Sequence, residues 1–274
     1  MADLLVTGTL PVNGAELHYD LAGSGPPLVL LHAGICDRRM WDGQLPALAE
    51  HFRVLRYDLR GFGETGPAAG PFSHVADLAD VLDALGIERA HLLGCSKGGS
   101  TALDYALLHP QRVSGLVLVC SSPSGYKPAQ PVPESAQWPA VVAAFDAGDL
   151  ERCAELEVQV WVDGPTRAPD QVPAALRDKV RAMDLLVLQH EVASQGQEEQ
   201  KTERPAAGRL AEVRAPTLVV MGDLDAPISL SSGEALAAGI PGARRVVIPG
   251  TAHLPNMEQP EVFNQIVLEF LAQL

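Results

Sequence analysis

The chain has 274 residues, 47% of them hydrophobic, which is enough for one large α/β domain with a substantial buried core. Asp and Glu number 34 against 20 Lys and Arg, so the net charge is −14, and nucleic acid and anionic membranes are excluded as expected partners. No apolar run is long enough to span a bilayer, residues 1–4 show no basic region typical of a secretory signal, and the expected location is cytoplasmic.

Residues 4–10 and 15–21 alternate as a hairpin around Pro11, Val12, Asn13 and Gly14. Residues 28–31 then read as a buried strand, 40–51 as a helix, 52–57 as a strand ending at Asp58, and 75–85 as a helix stopping at Gly86. The apolar run 90–93 leads into Gly94-Cys95-Ser96-Lys97-Gly98, and residues 100–108 favour helix. A strand that turns into a helix through one strained residue needs small neighbours, and Gly94 and Gly98 supply them. Such a turn lifts the Ser96 hydroxyl clear of the sheet at a helix N-terminus, the setting of a nucleophile. Residues 115–119 form another buried strand. Strands alternating with helices imply a mostly parallel sheet covered on both faces.

The alternation breaks between about 123 and 208, where prolines 128, 131, 133 and 139 precede helical runs at 141–145, 150–162 and 176–191. This stretch reads as a helical cap inserted into a core formed by residues 1–122 and 209–274. Its polar run, 195–204, reads as a solvated helix end or loop. The βα rhythm resumes with a strand at 217–221, a helix near 234–238, a strand at 245–248 and a closing helix at 261–274. The cysteines, Cys36, Cys95, Cys120 and Cys153, are scattered and read as buried free thiols; no metal-ligand spacing occurs, and neither a metal nor another cofactor is expected.

A serine hydroxyl needs a base, and the base needs an orienting acid. Gly222-Asp223-Leu224-Asp225 and Gly250-Thr251-Ala252-His253 both follow strands, at the carboxyl edge where such partners are required. With His32-Ala33-Gly34, the Ser96 turn and the tail Leu254 to Pro260, these motifs resemble the α/β-hydrolase fold superfamily, serine-nucleophile branch, over nearly the whole chain. The resemblance implies Ser96 as nucleophile, His253 as general base and Asp225 rather than Asp223 as orienting carboxylate. It also implies backbone N–H groups of Gly34 and Lys97 as the oxyanion hole. The family often carries an apolar residue after the serine; here Lys97 must reach solvent or an acidic partner.

The segment 32–41 further resembles small esterases, enol-lactonases and cofactor-free perhydrolases. Asp37 is expected to cap the following helix, with Arg38 and Arg39 on its exposed side. His18, His51, His74, His91 and His109 are expected to be structural and away from the active edge. Trp138, Trp161, Met183, Leu185, Leu186 and His190 are the candidate substrate contacts of the cap. The expected activity is cleavage of a small carboxylic ester through an acyl-enzyme. A lactonase, a hydrolase of carbon–carbon bonds in ring-cleavage products, a hydroxynitrile lyase and a ligand receptor on the same fold are the alternatives. The expected partner is a small-molecule ester or lactone; the oligomeric state is open.

Overall fold

A computed structural model describes residues 5–200 and 202–274. The N-terminal segment read for a secretory signal, the first residue of the expected hairpin and Lys201 of the polar run lie outside these. Eight strands form one sheet in the order β1-β2-β4-β3-β5-β6-β7-β8. β1 (Val6–Val12) and β2 (Ala15–Ala22) are antiparallel, joined by Asn13 and Gly14 at φ +46° and +79°, a turn those two residue types favour. β2 also pairs antiparallel with β4 (Arg53–Tyr57). From there β3 (Pro27–Leu31), β5 (Ala90–Cys95), β6 (Val113–Val119), β7 (Thr217–Gly222) and β8 (Arg244–Ile248) run parallel.

The central strands are apolar on both sides because both faces are covered. Val29, Leu31, Leu92, Leu116 and Leu118 pack with α2 (His74–Ala84), α3 (Lys97–Leu108) and α7 (Pro227–Gly239). Their neighbours Leu28, Leu30, Leu93, Val117 and Val119 pack with α1 (Leu45–Ala49) and α9 (Pro260–Leu271), the two-residue period of a pleated strand. The expected helix over 40–51 is shorter than its pattern: a 3-10 turn, Arg38–Trp41, comes first, and Gly43 and Pro46 delay the α-helix to Leu45. Conversely α7 is longer than expected, since Pro227 opens it.

Between β6 and β7 lie α4 (Trp138–Asp146), α5 (Leu150–Val158), a single π turn Gln159–Asp163 and α6 (Ala174–Ala193). This insert has a small apolar cluster of its own, with Val141, Ala144, Cys153, Leu156, Val160 and Leu188. It is not separate from the rest, because Val158, Val162, Val180 and Met183 join the main core. The last helix of the chain, α9, is preceded by the short α8 (Pro255–Glu258). Among the described residues no helix is long and apolar enough to cross a membrane.

Candidate active site

The sheet order reverses direction around β3: the chain goes from β3 out to β4, then returns to β5 on the other side. A crevice therefore opens beyond the carboxyl ends of β3 and β5, and the loops carrying Gly34 and Ser96 both start there. Ser96 has φ +49° and ψ −113°, a backbone state that costs a non-glycine residue about 1–3 kcal/mol. Neighbouring chain holds it in place. Its N–H donates to Val119 O at 2.8 Å, and its carbonyl accepts from Ser100 N at 2.9 Å. A Cβ on Gly94 would lie 2.3 Å from Gly98 O, and one on Gly98 would lie 2.2 Å from Leu31 O. Gly99, which the pattern did not single out, is as constrained, since its Cβ would meet Ser121 Oγ.

The loop after β3 faces this turn. Gly98 N–H donates to His32 O at 3.0 Å, and a Cβ on Gly34 would stand 3.7 Å from Lys97 Cβ. The buried His32 ring is bonded at both nitrogens, Nδ1 to Ala33 O at 2.9 Å and Nε2 from Leu59 N–H at 3.0 Å. That pattern requires the neutral tautomer with its proton on Nδ1, and burial lowers the pKa of the ring in the same sense.

β7 and β8 deliver the other candidates. His253 Nδ1 lies 2.8 Å from Asp225 Oδ2 and 3.0 Å from Oδ1, with both side chains almost fully buried. Asp223 points elsewhere, accepting from Gly250 N–H at 2.6 Å, so it ties together the loops that follow β7 and β8. Only glycine fits at 222, where a Cβ would lie 2.2 Å from Ala252 O. Cys120, Asp225 and His253 are the one group among the described residues with metal-ligand spacing, their donor atoms lying within 4.8 Å. Burial holds the Cys120 thiol protonated, and Asp225 already engages the imidazole, so the donor set fits a carboxylate–imidazole pair better than a metal. All four cysteines are free and buried.

The helical insert approaches His253 directly. The Trp161 ring stacks 4.6 Å from the imidazole at 39°, and His253 N–H donates to Trp161 O at 3.2 Å. Trp138 meets Trp161 edge-on at 6.3 Å. Both tryptophans line a cavity of about 470 Å³ with Pro131, Val132, Val160 and Ile228. A second, more polar cavity of about 680 Å³ runs past Lys97, Ser100, Asp104, Ser124 and Glu199. Met183, Leu186 and His190 line neither; Met183 is packed in the main core beneath the insert, while Leu185 lies against the insert's own cluster.

Three sequence expectations change here. Arg38 is not on an exposed face: it is buried, and its guanidinium meets Asp20, Asp58 and Glu64. The strand β2, the end of β4 and the following turn bring those carboxylates together, which a single helix pattern could not reveal. Asp37 does cap the following turn through Arg39 N–H, at 2.9 Å, and Arg39 is exposed. The run 195–204 is not merely solvated. Glu199 forms an isolated bridge with Phe72 and places its carboxylate 3.4 Å from Lys97 Nζ and 3.8 Å from His74 Nε2. His74 is thus nearer the active edge than expected.

Residues 26–260 match the family model described as the alpha/beta hydrolase fold. The chain belongs to the α/β-hydrolase fold family. It is 33% identical to a pimeloyl-[acyl-carrier protein] methyl ester esterase of Aeromonas hydrophila subsp. hydrophila, over 91% of this chain and 96% of that protein. It is 30% identical to a 2-hydroxy-6-oxononadienedioate/2-hydroxy-6-oxononatrienedioate hydrolase of Pseudomonas putida, over 93% of this chain and 91% of that one. Among solved structures, the enol-lactonase of Burkholderia xenovorans LB400 superposes with a TM-score of 0.77 at 25% identity, covering 96% of this chain and 99% of its own. Hydrolysis on an α/β scaffold is the chemistry these relatives share with the present chain.

Proposed function

We propose that this hydrolase cleaves a small carboxylic ester through an acyl-enzyme, with Ser96, His253 and Asp225 as its triad. The observation that carries the reading is the buried Asp225–His253 pair at 2.8 Å, set on loops adjoining a strained serine at a strand–helix turn. Asp225 engages Nδ1, which leaves the Nε2 lone pair to take the Ser96 proton. Ser96 Oγ attacks the ester carbonyl, the carbonyl electrons move to oxygen, and the backbone N–H groups of Gly34 and Lys97 receive that oxyanion. Collapse breaks the ester C–O bond, and His253 returns the proton to the leaving alkoxide. Water then repeats the sequence on the acyl-serine, releasing the acid. Each oxyanion donor in such a site contributes about 3–4 kcal/mol to lowering the barrier.

In this reading residues 123–208 are a cap over the core formed by 1–122 and 209–274, and the Trp138–Trp161 cavity takes an apolar part of a small-molecule substrate. Lactone opening uses the same steps and stays the nearest alternative. Carbon–carbon cleavage of a dicarboxylate, the chemistry in the name of the Pseudomonas relative, is disfavoured by charge. Among the described residues no arginine lines either cavity, and Lys97, which does line one, is paired with Glu199.

A fluorophosphonate should label one residue, Ser96, and Ser96→Ala should abolish both labelling and turnover of short esters. Turnover surviving in Ser96→Ala would end this mechanism. Retention of ester without turnover by the wild-type protein would favour a receptor.

A further inference from the structure

The triad accounts for His253 and its carboxylate but not for what surrounds the histidine loop. The insert changes helical type beside it. α5 gives way to the π turn Gln159–Asp163, whose wider winding presents the Trp161 carbonyl to His253 N–H and the indole to the imidazole face. At the next residue, Gly164 with φ +73°, a Cβ would stand 2.4 Å from Leu224 O and 3.3 Å from Ala252 Cβ. The insert's backbone therefore passes against both the Asp225 loop and the His253 loop.

One guanidinium joins these pieces. Arg167 donates to Val162 O at 2.6 Å and Asp163 O at 2.9 Å on the π turn, and to Gly250 O at 3.2 Å on the histidine loop. It pairs with Glu258 Oε2 at 2.6 Å, and the other Glu258 oxygen accepts from Ala252 N–H at 2.7 Å, one residue before His253. The Arg167 and Glu258 side chains are only 13% and 6% exposed, so the ion pair is shielded from competing water. Arg177 braces the far side of the turn, bonding Asp163 at 2.8 Å and Glu155 at 2.7 Å.

We infer that Arg167 and Glu258 are positioning residues, a clasp that seats the insert against the histidine loop and so fixes the imidazole beneath Trp161. The inference rests on His253 being the base of the proposed mechanism. Neither residue acts on the substrate. They hold three backbone carbonyls and one backbone N–H in register, and through these the direction of the imidazole. The competence of the base then depends on the insert being seated. An ester filling the cavity beside Trp138 and Trp161 bears on the same contact.

The test compares Arg167→Met, Arg167→Lys and Glu258→Gln with wild type, in the full chain. The readouts are the rate of Ser96 labelling by a small fluorophosphonate, kcat and KM for a short ester, and the NMR resonance of the His253 Nδ1 proton. A displacement of about 1 Å in a reacting group can cost about 10²-fold. Arg167→Met and Glu258→Gln should lower the labelling rate and kcat by about tenfold or more, within that bound. KM should hold, and the Nδ1 proton should shift or broaden. Arg167→Lys should recover only part of the loss, because an ammonium cannot reproduce the planar fork. Folded variants with wild-type labelling and an unshifted Nδ1 resonance would overturn the clasp, as would a loss confined to KM. Should Arg167→Met fail to fold, the near-isosteric Glu258→Gln decides. Absence of Ser96 labelling in the wild type would instead bring down the serine-hydrolase reading itself, so the two failures are distinguishable.

Discussion

At the scale of the residue, two carboxylates two positions apart are put to different uses by the backbone between them. Asp225 faces His253, and its Oδ1 also accepts from Ala226 N–H at 2.7 Å, so its orientation is fixed from two sides. Asp223 accepts from Gly250 N–H on the neighbouring loop. Asp225→Asn should therefore lower kcat by about 10⁴-fold, the loss expected when the imidazole is left in the wrong tautomer. Asp223→Asn, which keeps an acceptor oxygen, should leave kcat within about tenfold, and Asp223→Ala, which removes it, should lower stability by about 1 kcal/mol, the usual worth of one hydrogen bond. Steady-state kinetics with a thermal melt of each variant separates the two, and reversed effects would contradict this assignment. Both acids were legible from the motif Gly222 to Asp225. The partner of Lys97 was not, because Glu199 is about a hundred residues away in the chain and meets it only through a bridge to Phe72.

At the scale of the element, α5 and α6 share a buried acidic contact that no amphipathic pattern discloses. Asp184 on α6 is 1% exposed, and among the described residues no donor reaches either oxygen. It faces Glu157 on α5, and burial, then the Glu157 charge, push its carboxyl up to about 10; Glu191 adds to the repulsion. Protonation of the Asp184 carboxyl relieves that repulsion. The folded pKa lies above that of an unfolded aspartate, about 3.9, so the folded state binds the extra proton between these values. This group's contribution to stability is then fullest below about pH 4 and is lost as pH rises toward 10. Asp184→Asn removes the titrating group while keeping its shape. Thermal melts between neutral and alkaline pH should show a shallower loss of Tm in the variant than in wild type. Parallel slopes would show that the pair carries no such linkage. Helix existence in this region was readable from apolar spacing, whereas the π turn was not: α5 and Gln159–Asp163 look like one continuous helix over 150–162 in sequence.

At the scale of the molecule, the candidate catalytic residues and the two cavity tryptophans stand on different parts of the fold. Ser96, Asp225 and His253 stand on loops after parallel strands packed on both faces, while Trp138 and Trp161 stand on the helical insert. Trp138 is 38% exposed at the rim of the smaller cavity and does not touch the histidine loop through any bond of the Arg167 clasp. Trp138→Ala should therefore alter the ranking of esters by acyl length, by the roughly 1–3 kcal/mol that apolar contacts supply, or about 10–200-fold in relative kcat/KM. A matched series of acetate, butyrate and octanoate esters measures this. An unchanged ranking would move specificity to the polar cavity beside Lys97 or to the core loops.

The sequence by itself determined the mostly parallel sheet, the helical stretch between β6 and β7, and the turns after buried strands on which Ser96, Asp225 and His253 stand. Each of these is a local matter: a two- or 3.6-residue period, a glycine where no Cβ fits, a turn after a buried strand. Tertiary structure alone decided which cation meets which carboxylate. Arg38 was drawn into the interior because Asp20, Asp58 and Glu64 converge on it from separate segments. Arg167 joined the histidine loop because the insert folds back across the carboxyl edge of the sheet. Charged side chains carry no periodic signal of their partners, and their energy depends on burial and on distances between residues far apart in the chain.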